Sequence, residues 1–98
     1  MDPTERKKLA IALIVEERNQ QDVKWGPLEE HISKSQCVWH LILSEETGEV
    51  AREVLEGRFR VEGVHAEKLI NELAQVGAVA TAWIETLIEK RDRKRIKP

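Results

Sequence analysis

Apolar residues recur every three or four positions along three segments of the chain, the spacing typical of α-helices that bury one face. The first segment follows Asp2 and Pro3, which suit the N-cap and the first turn of a helix. Gly26 and Pro27 interrupt it, because neither residue continues a helix well. We therefore predict a first helix that ends near Lys24.

A second helix follows a polar stretch at residues 28–34. Ser33 or Ser35 can cap its beginning, and Gly57 is the expected stop. Its apolar stripe consists of Val38, Trp39, Ile42, Leu43, Val50 and Val54. We predict three helices in all, none of them in the polar stretch itself.

The third apolar segment runs from about Val64 to Lys90 and is apolar on nearly every side of its middle part. We interpret residues 57–63, which begin and end with glycine, as a loop with Phe59 turned inward. Gly77 and the neighbouring alanines would let other helices come close to the third helix. The charged residues at 91–98 have no apolar stripe, which favours a frayed, solvated tail.

Length and composition agree with one small domain that spans residues 1–98. The chain is 41% hydrophobic and 35% charged, which is enough for a core and a charged surface. We predict an all-α antiparallel helical bundle, completed by a second copy because so short a chain covers a central helix poorly. The net charge of −2 makes nucleic-acid binding unfavourable. Cys37 is the single cysteine, and no segment resembles a signal peptide or a membrane span, so we expect a cytoplasmic protein.

Several carboxylates fall inside the apolar stripes, where surface decoration would not place them. On the second helix, a rotation of 100° per residue puts Glu46 and Glu53 on the stripe and Glu49 on its shoulder, with Glu45 beside the edge. On the third helix, Glu72 falls among apolar residues. Each of the two helices thus presents carboxylates from a face that is otherwise apolar.

Facing carboxylates on packed helices repel each other unless a cation lies between them. Glu46 and Glu49, opposite Glu72 and Gln75, would offer three carboxylates and one amide oxygen to a shared space. Such oxygen ligands are typical of Mg²⁺ or Mn²⁺ rather than of Zn²⁺. The spacing therefore predicts a site for a hard divalent cation.

The same residues resemble a known family, the MazG-like all-α nucleoside triphosphate pyrophosphohydrolases, and above all its short phage and mobile-element members. The chain has EETGE at 45–49 where the family has E-E-x-x-E, and ELAQ at 72–75 where it has E-x-x-D. The segments LSEETGEVAREVLEG (43–57) and RNQQDVKWG (18–26) are also similar to family sequences. The resemblance covers nearly the whole chain, with one departure: Gln75 stands where an aspartate is usual.

This resemblance implies Mg²⁺-dependent cleavage of a ribo- or deoxyribonucleoside triphosphate between its α and β phosphates, which gives the monophosphate and pyrophosphate. We expect a homodimer or a dimer of dimers, because three helices alone cannot enclose the helix of Glu72, which is apolar on nearly every side. Glu46, Glu49 and Glu72 would hold the metal, and Gln75 would assist. The remaining roles are interpretations: Glu45 or Glu53 orients water, Lys68 meets a phosphate, Trp25 stacks on a base, and Gln21 or Asn19 reads the edge of the base.

Other interpretations of these residues stay open. The acidic residues could form a buried polar network or ion pairs with Lys68, Arg52 or a partner chain. Trp39 and Trp83 are expected to pack in a core or interface, as large aromatic side chains usually do. Cys37 and His40 could share a zinc ion with His31 or His65, but the mixed spacing and the lack of a second pair disfavour such a site. With Gln75 in place of the acid, the chain could also be a non-catalytic dimer that binds a nucleotide or a protein.

Overall fold

A computed structural model describes residues 1–57 and 62–96 of the chain, without the side chains of residues 62–65 and 96. Within these ranges the regular structure is entirely helical, which confirms the all-α prediction. The four helices are α1 (Pro3–Trp25), α2 (Leu28–Ile32), α3 (Gln36–Gly57) and α4 (Glu62–Ile96). The predicted position of Phe59 lies outside the described residues.

The two ends of α1 follow the sequence signals closely. The Asp2 carboxylate accepts a hydrogen bond from the backbone N–H of Glu5 at 2.9 Å, as an N-cap does. At the other end Gly26 has φ of +86°, a conformation that residues with a side chain rarely adopt. Its N–H bonds the carbonyl of Asp22 at 3.2 Å, so α1 ends at Trp25, one residue beyond the prediction.

The polar stretch at 28–34 contains a short helix that the prediction of three helices did not include. Helix α2 begins after Pro27, and the Glu30 carbonyl near its end accepts hydrogen bonds from the Ser33 hydroxyl at 2.8 Å and the Lys34 ammonium at 3.2 Å. The residue that α2 buries completely is His31. A single turn that buries a histidine gives no apolar periodicity, so the pattern could not reveal it.

Helix α4 is longer than predicted at both ends. It begins at Glu62 rather than near Val64, and it continues through Ile96, so residues 91–96 of the predicted tail are helical. The guanidinium of Arg93 contacts the carboxylates of Glu29 at 2.6 Å and Glu89 at 3.0 Å. These contacts tie the end of α4 to α2.

Helix α4 lies at the centre of the described structure and packs against the other three helices. Its glycine, Gly77, gives α1 room to approach, because a Cβ at this position would lie 2.9 Å from Ile14. The predicted close approach is therefore confirmed at the contact between α1 and α4. In the same helix Ala74, Ala78, Val79 and Ala82 are buried.

Aromatic rings form the core where α1, α2, α3 and α4 meet. Trp39 is completely buried, and Trp83 stacks on it with an interplanar angle of 10° and 6.5 Å between ring centroids. Trp25 and His31 both meet Trp39 edge-on. The core role expected for Trp39 is thus observed, and this cluster fixes the end of α1 relative to α3.

The molecule is long and thin, with principal extents of 59 × 31 × 20 Å and a radius of gyration of 16.1 Å. A compact domain of this length has a radius of gyration of about 12.6 Å. Among the described residues, we found no helix that combines the length and the apolarity needed to pass through a bilayer. The elongated shape leaves many apolar side chains at the surface.

Candidate functional site

A polar cavity lies where α1 meets α3 and α4, beside the aromatic core. Its volume is about 280 Å³. Helix α1 supplies most of its lining, while α3 and α4 contribute one residue each. The lining residues are Glu17, Gln20, Gln21, Lys24, Trp25, Glu46 and Gln75.

Two carboxylates on α3 and α4 are turned away from solvent. Glu46 and Glu72 are half-buried, and one carboxylate oxygen of each, Oε2, is buried without a hydrogen-bond partner in the described structure. A buried carboxylate oxygen without a partner costs free energy, because it has lost its bonds to water and gained none. The two side chains therefore occupy positions that packing alone does not explain.

The electrostatic surroundings raise the pKa of both carboxyl groups. For Glu46 the largest cause is burial, followed by the negative charges of Glu72 and Glu49. For Glu72 the largest cause is again burial, followed by Glu49 and Glu53, while the positive charge of Arg52 opposes the shift. The mutual repulsion shows that the acidic residues of α3 and α4 face a common region.

The remaining residues singled out in the sequence divide into two groups. Glu49 and Glu53 are half-buried and lie close enough to Glu72 to raise its pKa. In contrast, the side chains of Glu45, Lys68 and Asn19 are exposed. Of the residues singled out in the sequence, the structure brings four together in the cavity lining: Gln21, Trp25, Glu46 and Gln75. The described lining does not include Asn19, Glu45, Glu49, Glu53, Lys68 or Glu72.

Three lining residues, Glu17, Gln20 and Lys24, were missed in the sequence. Glu17 contributes to the raised pKa of both Glu46 and Glu72. A signal was present: Glu17 and Gln21 follow Leu13 and Ile14 at helical spacing, on the face that turns toward α4. Glu17 and Gln21 therefore continue the same face of α1 as Leu13 and Ile14, but with polar side chains.

Gln21 is the most deeply buried polar side chain of the cavity wall. It is only 8% exposed, and its Oε1 has no hydrogen-bond partner among the described residues. Trp25, one turn further along α1, is half-buried and lines the same cavity. The cavity therefore offers an unsatisfied amide beside an aromatic ring.

Of the ion pairs considered in the sequence, the structure shows the one between Arg52 and Glu49. Arg52 lies 3.6 Å from Glu49 on the surface, where such pairs are weak. Within residues 1–57 and 62–96, no three His, Cys, Asp or Glu side chains are already grouped as a metal site. Of the alternative zinc residues, Cys37 and His40 are exposed and His31 is buried, whereas the side chain of His65 lies outside the description.

A second polar cluster, centred on Arg18, lies on the adjacent side of α1. Arg18 is 8% exposed, and its guanidinium donates to both carboxylate oxygens of Glu85, with Nε to Oε2 at 2.6 Å and Nη2 to Oε1 at 3.3 Å. A third bond goes to Asp22. Burial opposes the positive charge, but these bonds outweigh it and raise the pKa of Arg18. We call Arg18, Asp22 and Glu85 the arginine network.

Comparison with known proteins identifies no relative of the chain. No family model matches the sequence. No curated protein and no solved structure matches it either. The cavity and the residues around it are therefore the basis for a proposal of function.

Proposed function

We propose that this protein is a Mg²⁺-dependent nucleoside triphosphate pyrophosphohydrolase of the MazG-like kind. The observation that carries the proposal is the pair of buried, unpartnered carboxylate oxygens of Glu46 and Glu72. Glu46 lines the cavity, and the negative charge of Glu72 acts on it. A divalent cation would remove the cost of this arrangement, which the positive charge of Arg52 opposes only at Glu72 and without reversing the shift.

The donor set fits a hard cation. Glu46, Glu49 and Glu72 would hold it through carboxylate oxygens, and Gln75 would add an amide oxygen, the ligand types that Mg²⁺ and Mn²⁺ accept. A bound Mg²⁺ supplies charge neutralisation on phosphate oxygens and a more acidic water. Glu45, which is exposed, or Glu53, which is half-buried, would accept a proton from that water and orient it.

The substrate proposal rests on the other half of the cavity. Gln21 presents an unsatisfied amide oxygen, which would accept a hydrogen bond from the N–H of a nucleobase edge. The ring of Trp25 would stack against the base. Asn19 and Lys68, both exposed, would reach the nucleotide only from outside this cavity.

A second copy of the chain is part of this proposal. The chain exposes 7317 Å², whereas a folded monomer of its mass exposes about 5,700 Å². The exposed apolar side chains include Ile11 and Val15 on α1 and Ile84, Leu87 and Ile88 on α4. Burial of this excess in a homodimer, or in a dimer of dimers, would cover the central helix. Sedimentation equilibrium at micromolar concentration tests the association.

One observation favours a second candidate function. Gln75 reaches the cavity but carries no charge, so a cation there is attracted by one carboxylate fewer than an aspartate would give. On this alternative the protein is a helical dimer that binds a nucleotide or a protein partner without hydrolysing it. The alternative predicts nucleotide binding with no release of pyrophosphate.

Release of pyrophosphate from a panel of ribo- and deoxyribonucleoside triphosphates, with Mg²⁺ or Mn²⁺, separates the two functions. We expect release that chelation by EDTA abolishes and that Glu46→Ala lowers by about 10³-fold, the loss typical for a group that stabilises transition-state charge. Glu16→Gln, an exposed neighbour of the cavity residue Glu17, is the matched control and should retain full activity. Absence of release in the wild type, with release in Gln75→Asp, would establish the non-catalytic alternative.

A further inference from the structure

A carboxylate on α1 lies on the wall of the cavity that Glu46 and Gln75 also line. Glu17 is half-buried there, one helical turn before Gln21. Its negative charge acts on both Glu46 and Glu72, the carboxylates of the two opposite helices. Carboxylates from α1 and α3 therefore line this space, together with the Gln75 amide of α4.

A wall position on α1 does not require an acid. Beside the partly buried Glu46, a further negative charge raises the free energy of the metal-free protein through repulsion. The one basic residue among the described lining residues, Lys24, is exposed. A neutral side chain of similar size would avoid that cost. The cavity also holds an independent sign of a ligand, since Gln21 is more than nine-tenths buried and its Oε1 has no partner among the described residues.

The number of charged ligands at the proposed cation site suggests a role for Glu17 on α1. Glu46, Glu49 and Glu72 bring three carboxylates, and the fourth oxygen donor, Gln75, is neutral. Affinity for a hard divalent cation depends on the number of charged ligands. We propose that Glu17 supplies, from α1, the negative charge at the cation site that Gln75 does not carry. This inference rests on the proposed function, because it assumes that a cation binds at Glu46.

The test is the affinity of the metal-free protein for Mn²⁺ alone, measured by isothermal titration calorimetry without nucleotide. Glu17→Gln should weaken binding by about tenfold or more, the loss typical when a charged group next to a metal is removed. Glu16→Gln, which changes the exposed neighbouring residue, should leave the affinity unchanged. Gln75→Asp should tighten binding.

The decisive variant combines Glu17→Gln with Gln75→Asp, because it moves one charge across the cavity and keeps the total constant. We expect its affinity for Mn²⁺ to return to within about threefold of the wild type, less than the loss predicted for the single variant. Circular dichroism of each variant shows whether it is folded, and Glu17→Asp, which keeps the charge, should bind Mn²⁺ more tightly than Glu17→Gln.

Two results would overturn the inference: equal Mn²⁺ affinity for Glu17→Gln and Glu16→Gln, or no recovery in the double variant. Glu46→Ala distinguishes this failure from failure of the proposed function. If Glu46→Ala loses Mn²⁺ binding while Glu17→Gln does not, the site stands and only the role of Glu17 is wrong. If neither variant loses binding, the proposed site is wrong as well.

Discussion

The arginine network and the polar cavity, which we call the acidic cavity because Glu17 and Glu46 line it, lie on adjacent sides of the same stretch of α1. Their charges are arranged in opposite ways. In the network, the guanidinium of Arg18 is buried and hydrogen-bonded to two carboxylates. In contrast, Glu46, which lines the cavity, and Glu72 each hold a buried oxygen without a hydrogen-bond partner among the described residues. A buried charged group whose hydrogen bonds are all made typically stabilises the fold. A buried charged group without a counter-ion is more typical of a functional site, where a ligand supplies the opposite charge.

The contrast carries over to the carboxylates of each cluster. Glu85 and Asp22 keep about half of their side-chain surface in water, at 45% and 53% exposure, so their charges cost little. Glu46 and Glu72 repel each other as well as losing solvent, and their pKa values rise. Substitutions in the two places should therefore change stability in opposite directions.

The largest effect is expected from Arg18→Met, which keeps most of the apolar stem and removes all three hydrogen bonds. Removal of one partner from a buried ion pair costs about 3–5 kcal/mol. Here Glu85 and Asp22 can rehydrate, so we expect a loss of about 2 kcal/mol in the free energy of unfolding. Urea denaturation measures it. Arg6→Met changes an exposed arginine on the same helix and should have a free energy of unfolding close to that of the wild type. Equal urea midpoints for the two variants would show that the arginine network does not stabilise the fold.

Most of the fold could be predicted from the sequence because the apolar stripes are long. The stops of α1 and α3 were found from Gly26–Pro27 and Gly57, since glycine and proline act locally. Helix α2 was missed because its buried residue is His31, a side chain that patterns count as polar. Tertiary contacts, which no local pattern contains, carry α4 through to Ile96, since Arg93 reaches Glu29 across 64 positions of sequence.

The candidate site could be predicted only as far as each helix shows its own face. The inward position of Glu46 and Glu72 follows from their place on the apolar stripes. The contribution of α1 was incompletely predicted, since Gln21 was found and Glu17 was not. The arginine network was not predicted, because Arg18 and Glu85 belong to α1 and α4 and nothing within either helix indicates that they meet. Contacts between helices depend on their rotation and crossing, which are properties of the packed structure.

A smaller effect, of opposite sign, is expected from Glu46→Gln in the metal-free protein. The variant removes a charge that burial and repulsion disfavour, so its free energy of unfolding at pH 7 should rise by about 0.5 kcal/mol after allowance for screening by solvent. A raised pKa in the folded state means that wild-type stability increases as the pH falls from the raised value toward the ordinary 4.5. The advantage of the variant should shrink over that range.

Thermal melts of both proteins between pH 4 and pH 8 measure this difference. Burial lowers the pKa of His31, so its contribution to stability is lost as the pH falls below its ordinary value of 6.5. That loss is common to both proteins and cancels when their stabilities are subtracted. A variant that is less stable than wild type at pH 7, or a difference that does not change with pH, would contradict the electrostatic description of the cavity.

The smallest effect is expected from Arg93→Ala, which removes an arginine with two carboxylate partners on the surface. Like Arg18, Arg93 binds two carboxylates, Glu29 and Glu89, but its side chain is 44% exposed instead of 9%. The comparison therefore isolates burial from pairing. Exposed pairs are weakened by competing water and by salt, so we expect the melting temperature to stay within about 2 °C of the wild type.

The variant should nevertheless change the titration of its partner. The hydrogen bond from Arg93 holds the pKa of Glu29 below its ordinary value, and this pKa should rise toward 4.5 in Arg93→Ala when followed by NMR. Lys94→Ala, beside it and exposed, should leave the pKa of Glu29 unchanged. If Arg93→Ala destabilised the protein as strongly as Arg18→Met, pairing rather than burial would set the strength of these networks. The difference in stability effects between the arginine network and the acidic cavity would then have a cause other than burial.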